Sequence, residues 1–117
     1  MDIVENPHDI QSADIVVGIP SYNEADLIAW PAQQASEGLV TFFGDKNGVI
    51  INCDNNSSDG TRDAFMNTAT EVPKMYLSTP PGVKGKGNNF ENLFRKCCDL
   101  GAEAVVVVDA DLKSITP

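Results

Sequence analysis

The sequence predicts an α/β protein in which helices cover both faces of a mostly parallel sheet. Apolar segments of strand length alternate with segments of helical character in the order β-α-β-α-β-α-β. This order is typical of a parallel sheet with right-handed crossovers. Residues 105–108 are four consecutive valines, which are β-branched and apolar on both faces of a strand. Such a run favours a central strand that is covered by helices on both sides.

The first half of the chain supplies two strand–helix pairs. Residues 13–20 form the first predicted strand, which stops at a proline. The following helix is predicted over residues 24–39, and Pro31 must kink or restart it. A second strand over residues 49–53 runs into a polar loop that leads to a helix over residues 61–70.

The second half adds a third strand–helix pair and a final strand. Residues 74–78 alternate weakly and form the third predicted strand, before a basic, glycine-rich loop over residues 79–87. The next helix, residues 88–100, carries apolar side chains at i, i+3, i+4, i+7 and i+10, which define one buried face. Gly101 ends this helix, and residues 104–108 form the fourth strand.

Composition limits the class of protein. The chain has 117 residues, which is one small domain or part of one. Its 17 acidic and 8 basic side chains give a net charge of −9, which argues against nucleic-acid binding. No apolar run reaches the ~18–20 residues that cross a bilayer. Residues 1–12 are acidic and contain Pro7, so they are predicted to be a disordered leader and not a signal peptide. Three cysteines without CxxC spacing favour the reducing cytoplasm.

Every predicted strand is followed by unusual polar residues. These residues are 20–24, 54–59 and 84–87, and the pair Asp109 and Asp111. The carboxyl ends of parallel strands share one edge, where open α/β sheets bind their ligands. Asp109 and Asp111 project to the same side of an extended segment, and a hard divalent cation would relieve their repulsion. The alternative is that Asp109 caps the next turn and Asp111 is solvated.

Several nucleotide and metal motifs fail on spacing. A Walker loop needs serine or threonine after Gly-Lys, whereas Gly87 follows Lys86 here. Residues 85–90 lack the third glycine of a dinucleotide-binding fingerprint. One polar segment begins like a calcium loop, but Met66 occupies the position of the required glutamate. A phosphohydrolase with Asp109 as nucleophile stays an alternative, although Asp109 does not follow the first strand.

Four motifs together resemble the N-terminal half of a GT-A glycosyltransferase. In the family's order they are IPSYNE (residues 19–24), DNNSSDGT (54–61), GKGNN (85–89) and DAD (109–111). The resemblance covers about residues 14–112 and implies a Rossmann-like fold. Within this superfamily, GKG and the ending DADLKSITP resemble the glucosyl-3-phosphoglycerate and mannosylglycerate synthase group. The family-2 glycosyltransferases are a close second.

The resemblance implies a nucleoside site built from the turn after the first strand and the loop after the second. Its residues would be Pro20, Ser21, Tyr22, Glu24, Asp54 and Asn55. In this assignment, Asp54 accepts an imide N–H of a uracil or guanine ring, and Glu24 accepts from the base or the ribose. Glu24 is equally compatible with a simple role at the start of a helix, as is Asp59.

The resemblance also implies a diphosphate and metal site. Lys86, on its glycine-flanked loop, would approach the diphosphate as a point charge. Asp111 would bind Mg²⁺ or Mn²⁺ directly, and Asp109 would contact the metal through water or meet the ribose, with Ala110 between them in the nucleotide-sugar site. The cation would stabilise the charge that builds on the departing nucleoside diphosphate.

The implied activity is metal-dependent transfer of a hexose from a UDP- or GDP-sugar to a small hydroxy acid, a phosphorylated acceptor or a lipid phosphate. GT-A enzymes continue well past this point, so residues 13–117 are expected to be the donor-binding half, inactive without an acceptor half. The apolar surfaces left uncovered predict self-association. A non-catalytic nucleotide-binding module is the second alternative, beside the phosphohydrolase.

Overall fold

The computed structural model describes residues 3–80 and 86–110, without the side chains of Ile3 and residues 86–88. The strands in this part of the chain are β1 (Ile3–Glu5), β2 (Ile15–Ser21), β3 (Gly48–Asp54), β4 (Lys74–Ser78) and β5 (Ala104–Val107). The helices are α1 (Ala29–Phe42), α2 (Thr61–Asn67) and α3 (Lys86–Leu100). The strands form one sheet in the order β1-β4-β3-β2-β5. The predicted α/β architecture with a mostly parallel sheet is confirmed.

Parallel pairing places the strand ends on one edge of the sheet. β2 pairs in parallel with both β3 and β5, and β3 pairs in parallel with β4. The carboxyl ends of these four strands therefore point the same way. As predicted, the loops that follow them can contribute side chains to a common rim.

Residues 3–5 form a strand of the sheet, although they lie in the segment 1–12 that was predicted to be a disordered leader. β1 pairs antiparallel with β4. The guanidinium of Arg62 on α2 binds the Glu5 carboxylate through two hydrogen bonds. Ile10 is buried, and its amide donates to the Asn6 side chain at 2.8 Å. A strand of three residues is too short for an alternating pattern to reveal it in the sequence.

β5 is an edge strand within the described residues, which corrects the prediction of a central, doubly covered strand. Its partner there is β2. Val106 is 50% exposed and Val107 is 38% exposed, while Val108 is buried and its amide donates to the Gly18 carbonyl at 2.9 Å. A run of valines indicates that both faces can pack, but whether other elements cover them depends on the rest of the fold.

Helices pack on both faces of the sheet. On one face, α3 buries Leu93 against a cluster that includes Val16 of β2. On the other face, Ile28 before α1 and Phe65 of α2 are fully buried in a second cluster. Gly18 lies under α3, where a Cβ atom would come within 2.4 Å of Cδ2 of Leu93. A side chain at position 18 would therefore require Leu93 or α3 to shift.

α1 begins later than predicted, which removes the need for a kink. It starts at Ala29 and not at residue 24, so Pro31 lies in its first turn. A proline there costs no intrahelical hydrogen bond, because the first N–H groups of a helix have no partner inside it. Leu27 and Ile28 form a preceding turn through amides that donate to the Glu24 carbonyl at 3.0 Å.

A buried lysine closes the end of α2. The ammonium group of Lys74 donates to the carbonyl oxygens of Phe65 at 3.0 Å and Met66 at 2.9 Å, and also to that of Thr68. Carbonyls at a helix end lack i+4 amide partners, and the ammonium group donates to them instead; the Phe65 carbonyl also accepts from the amide of Thr68 at 3.2 Å. Burial lowers the pKa of Lys74. α2 accordingly ends at Asn67, before the predicted residue 70.

The three cysteines should differ sharply in reactivity. Cys53 and Cys97 are buried, and Cys98 is exposed. Burial raises the pKa of the Cys53 thiol to about 12 and that of Cys97 to about 11, so both are protonated and shielded near neutral pH. We expect one thiol per chain to react rapidly with Ellman's reagent at pH ~8, and two to react only after unfolding. The Cys98→Ser variant should lose the fast phase, and a second fast thiol would contradict this assignment.

Candidate functional site

A crevice of about 290 Å³ lies at the carboxyl edge of the sheet. It gathers residues from the turn after β2, the loop after β3, the first turn of α3 and the segment after β5. They are Pro20, Ser21, Tyr22, Glu24, Asn55, Asn89, Asp109 and Ala110. All except Asn89 were predicted from the sequence as nucleotide-sugar contacts. Three separated motifs therefore meet in one place, as the predicted sheet topology requires.

A second, larger crevice has a different character. Its volume is about 550 Å³, and α1 and residues 69–71 line it. It contains none of the predicted site residues. Its lining has two carboxylates, Glu37 and Glu71, and no lysine or arginine, so charge does not distinguish it from the smaller crevice. The smaller crevice is the candidate site because its position, at the strand ends, matches where ligands bind in open α/β sheets.

The two loops that form the crevice wall are joined by Asn23. Its amide donates to Oγ of Ser57 at 2.7 Å, and its Oδ1 accepts from the amide of Ser58 at 3.0 Å. The backbone of Asn23 has a φ of 52°, in the left-handed region that asparagine tolerates better than most residues. This reciprocal pair of hydrogen bonds holds the turn after β2 against the loop after β3.

Asp59 strengthens the same junction. Its Oδ2 accepts from the amide of Ala25 at 3.1 Å, and its Oδ1 accepts from the amide and the hydroxyl of Thr61. The Thr61 hydroxyl in turn accepts from the amide of Glu24 at 2.9 Å. The hydrogen bond from the Thr61 side chain is the main cause of the lowered pKa of Asp59. Asp59 thus acts at the start of α2, in agreement with the helix-start role predicted from the sequence.

Asp54 is a buried structural acceptor, which corrects its predicted role as the acceptor for a base imide. Its carboxylate is 1% exposed. It accepts from Ser21 Oγ at 2.7 Å, from Tyr76 Oη at 2.7 Å, and from the amide and hydroxyl of Ser57 at 3.0 and 2.6 Å. Burial, followed by the hydrogen bond to Asp54, raises the pKa of Tyr76. The carboxylate is thus saturated with protein donors and has no access to the crevice.

Asn52 continues this buried network beneath the crevice. Its Nδ2 donates to the Ile19 carbonyl at 2.9 Å and to Ser21 Oγ at 2.8 Å. Ser21 Oγ therefore accepts from Asn52 and donates to Asp54. Although Ser21 lines the crevice, its hydroxyl is committed to the network, and its carbonyl accepts from the amide of Asn55 at 2.9 Å. We infer that Ser21 shapes the wall through its backbone.

Asn89 is the site residue that sequence reasoning missed. It lies in the first turn of α3, is 3% exposed and lines the crevice. Its Oδ1 is buried and accepts no hydrogen bond within residues 3–80 and 86–110. The GKGNN motif predicts a diphosphate contact for its lysine. Nothing in the spacing of the motif distinguishes Asn89 from the asparagine before it.

The predicted metal site is described only in part. Asp109 is exposed at the crevice, and Ala110 beside it is buried. Asp111 and the side chain of Lys86 lie outside the described residues, although Lys86 begins α3. Among residues whose side chains are described, no three His, Cys, Asp or Glu side chains form a group that could hold a metal ion.

Comparisons with protein-family models, curated proteins and solved structures give no match to this chain. No helix in the described part of the chain combines the length and apolar character needed to cross a membrane.

Proposed function

We propose that this chain is the donor-binding portion of a metal-dependent glycosyltransferase and that the crevice at the carboxyl edge binds a UDP- or GDP-sugar. One observation carries the proposal. Three segments that are far apart in sequence supply seven predicted residues to a single crevice: the end of β2 with the turn that follows, the loop after β3 and the segment after β5. A nucleotide-sugar requires such a site, because base, ribose and diphosphate must be held together.

The crevice offers suitable groups for the nucleoside. Tyr22 is 46% exposed and lines the crevice, where its aromatic ring would stack on a base. Two hydrogen bonds hold Asn55 in place. Its backbone amide donates to the Ser21 carbonyl, and its Oδ1 accepts from the Thr79 hydroxyl at 3.3 Å. Glu24 supplies a carboxylate acceptor for ribose hydroxyls.

Electrostatics support the requirement for a cation. The described lining contains two carboxylates, Glu24 and Asp109, and no lysine or arginine. A diphosphate would be repelled by this lining unless a divalent cation bridged the two. Carboxylate oxygens are the ligands that Mg²⁺ and Mn²⁺ prefer, so Asp109, with Asp111, would hold the ion. When bound, the ion would stabilise negative charge on the leaving nucleoside diphosphate.

The proposal predicts nucleotide binding that depends on both metal and base. In calorimetric titrations we expect either UDP or GDP to bind, and to bind more tightly with Mn²⁺ present. Asp109→Asn should weaken the metal-dependent binding by about tenfold or more, because it removes a charge that faces the cation. Asp45→Asn is the matched control, since it removes an equal charge from an exposed position outside the crevice and should leave binding unchanged.

Two results would contradict the proposal. One is failure of the wild-type chain to bind either nucleotide in the presence of Mn²⁺. The other is covalent trapping of beryllofluoride on Asp109 together with indifference to the base, which would identify a phosphohydrolase with an aspartate nucleophile.

A further inference from the structure

We propose that Asn89 is a specificity-determining residue whose Oδ1 accepts a hydrogen bond from an O–H or N–H group of the bound donor nucleotide. The inference rests on the proposed function, since it concerns how the same crevice selects its ligand. Two independent observations carry it: Asn89 lines the crevice, and its buried Oδ1 has no partner among the described residues.

A buried oxygen without a hydrogen bond is costly. Leaving a polar group unsatisfied costs about 1–3 kcal/mol, and most buried side-chain polar atoms in proteins have a partner. Asn89 is 3% exposed, so water does not compensate for the missing bond in the way it would at the surface. A ligand that brings a donor to this oxygen would remove the cost on binding.

Among the described residues, hydrogen bonds give Asn52 a structural role, whereas none is described for the Asn89 side chain. Both side chains have a buried Oδ1 without a partner. The amide nitrogen of Asn52, however, makes two hydrogen bonds that join β3 to the end of β2, and Asn52 does not line the crevice. Asn52 therefore has a structural role that offsets its unpaired oxygen. Asn89 sits at the wall of the site instead, where the missing partner can come from a ligand.

The chemistry of the oxygen limits the ligand group it can bind. An amide oxygen only accepts hydrogen bonds, so it favours hydroxyl and N–H groups over unprotonated phosphate oxygens. Asp54, the acceptor expected for a base imide, already accepts four hydrogen bonds from protein donors and does not line the crevice. Asn89 thus carries an acceptor that no described residue uses, and it would suit an imide N–H of the base or a hydroxyl of the ribose or the hexose.

The test compares Asn89→Leu and Asn89→Ala with the wild-type chain, with UDP, GDP, UDP-glucose and GDP-mannose as probes in the presence of Mn²⁺. Both variants should weaken binding of the preferred nucleotide-sugar by about tenfold or more, because the ligand's donor is left unpaired. Their Tm should stay equal to that of the wild type or rise, because the substitutions remove an unsatisfied oxygen and no protein hydrogen bond to it. Asn52→Leu is the matched control, and its lost hydrogen bonds should lower Tm.

The probes also locate the donor group. If the variants bind the free nucleotide and its sugar conjugate equally more weakly, the hydrogen bond is to the nucleoside. If only binding of the conjugate is weakened, the hydrogen bond is to the hexose. Either result supports the proposal. Wild-type affinity in both Asn89 variants would overturn it. A fall in Tm of more than about 5 °C in both would do the same, since Asn89 would then be structural. If the wild-type chain binds none of the probes, the proposed function fails first, and this inference fails with it.

Discussion

Replacing Asp54 with alanine is expected to lower the free energy of unfolding by about 3–5 kcal/mol, a loss typical of a broken buried polar network. The carboxylate accepts four hydrogen bonds from Ser21, Ser57 and Tyr76. Truncation leaves the buried Ser21 and Tyr76 hydroxyls without this acceptor and opens a gap between the ends of β2 and β4. Urea unfolding followed by circular dichroism at neutral pH measures the change.

Two controls test whether the network is the cause. Tyr76→Phe removes one of the four hydrogen bonds and keeps the ring, so it should cost only about 1–2 kcal/mol. Asp45→Ala removes an exposed aspartate elsewhere and should change stability by less than about 0.5 kcal/mol. An Asp54→Ala variant as stable as the Asp45 control would refute the buried network.

Gly18→Ala is expected to destabilise the fold by about 1–3 kcal/mol, although alanine is usually a harmless replacement for glycine. The new Cβ would lie 2.4 Å from Cδ2 and 2.9 Å from Cδ1 of Leu93, a side chain that is fully buried. Either Leu93 leaves its preferred rotamer or α3 moves away from β2. Thermal unfolding and urea unfolding measure the loss of stability, and both should show it.

A double-mutant cycle identifies the clash. Leu93→Ala alone should cost about 2–5 kcal/mol through the cavity it leaves. In the double variant the new methyl group occupies part of that cavity, so the combined cost should be smaller than the two single costs together. Strict additivity would contradict the expected clash between the new Cβ and Leu93.

Much of the fold follows from the sequence because the strands carry strong local signals. The prediction of a strand over residues 74–78 coincides with β4, and α3 begins within two residues of its predicted start. β1 was missed because its three residues carry no periodicity, and its partner is distant in sequence. The valine run predicts a strand, which β5 confirms, but the position of that strand at an edge depends on its neighbours and not on its own residues.

The residues of the candidate site, like the elements of the fold, could be predicted from the sequence only in part. Motifs at strand ends predicted the residues that meet at the crevice, because parallel topology alone brings strand ends together. Whether a given carboxylate faces the crevice or lies beneath it depends on strand register. Ser21 lies opposite Asp54 in the β2–β3 pairing, and the same pairing brings Asn52 within reach of the Ser21 hydroxyl. No spacing rule in the sequence conveys this, nor does one show that the Asn89 oxygen lacks a partner.

The hydrogen bonds between Asn23 and the loop after β3 have a kinetic consequence. They fix the turn after β2 against the loop after β3 in the ligand-free chain, so association should require little ordering of these two segments. Contact of a nucleoside with this wall would then need no slow rearrangement of it. Discrimination between related nucleotides would arise mainly from how long each one stays bound.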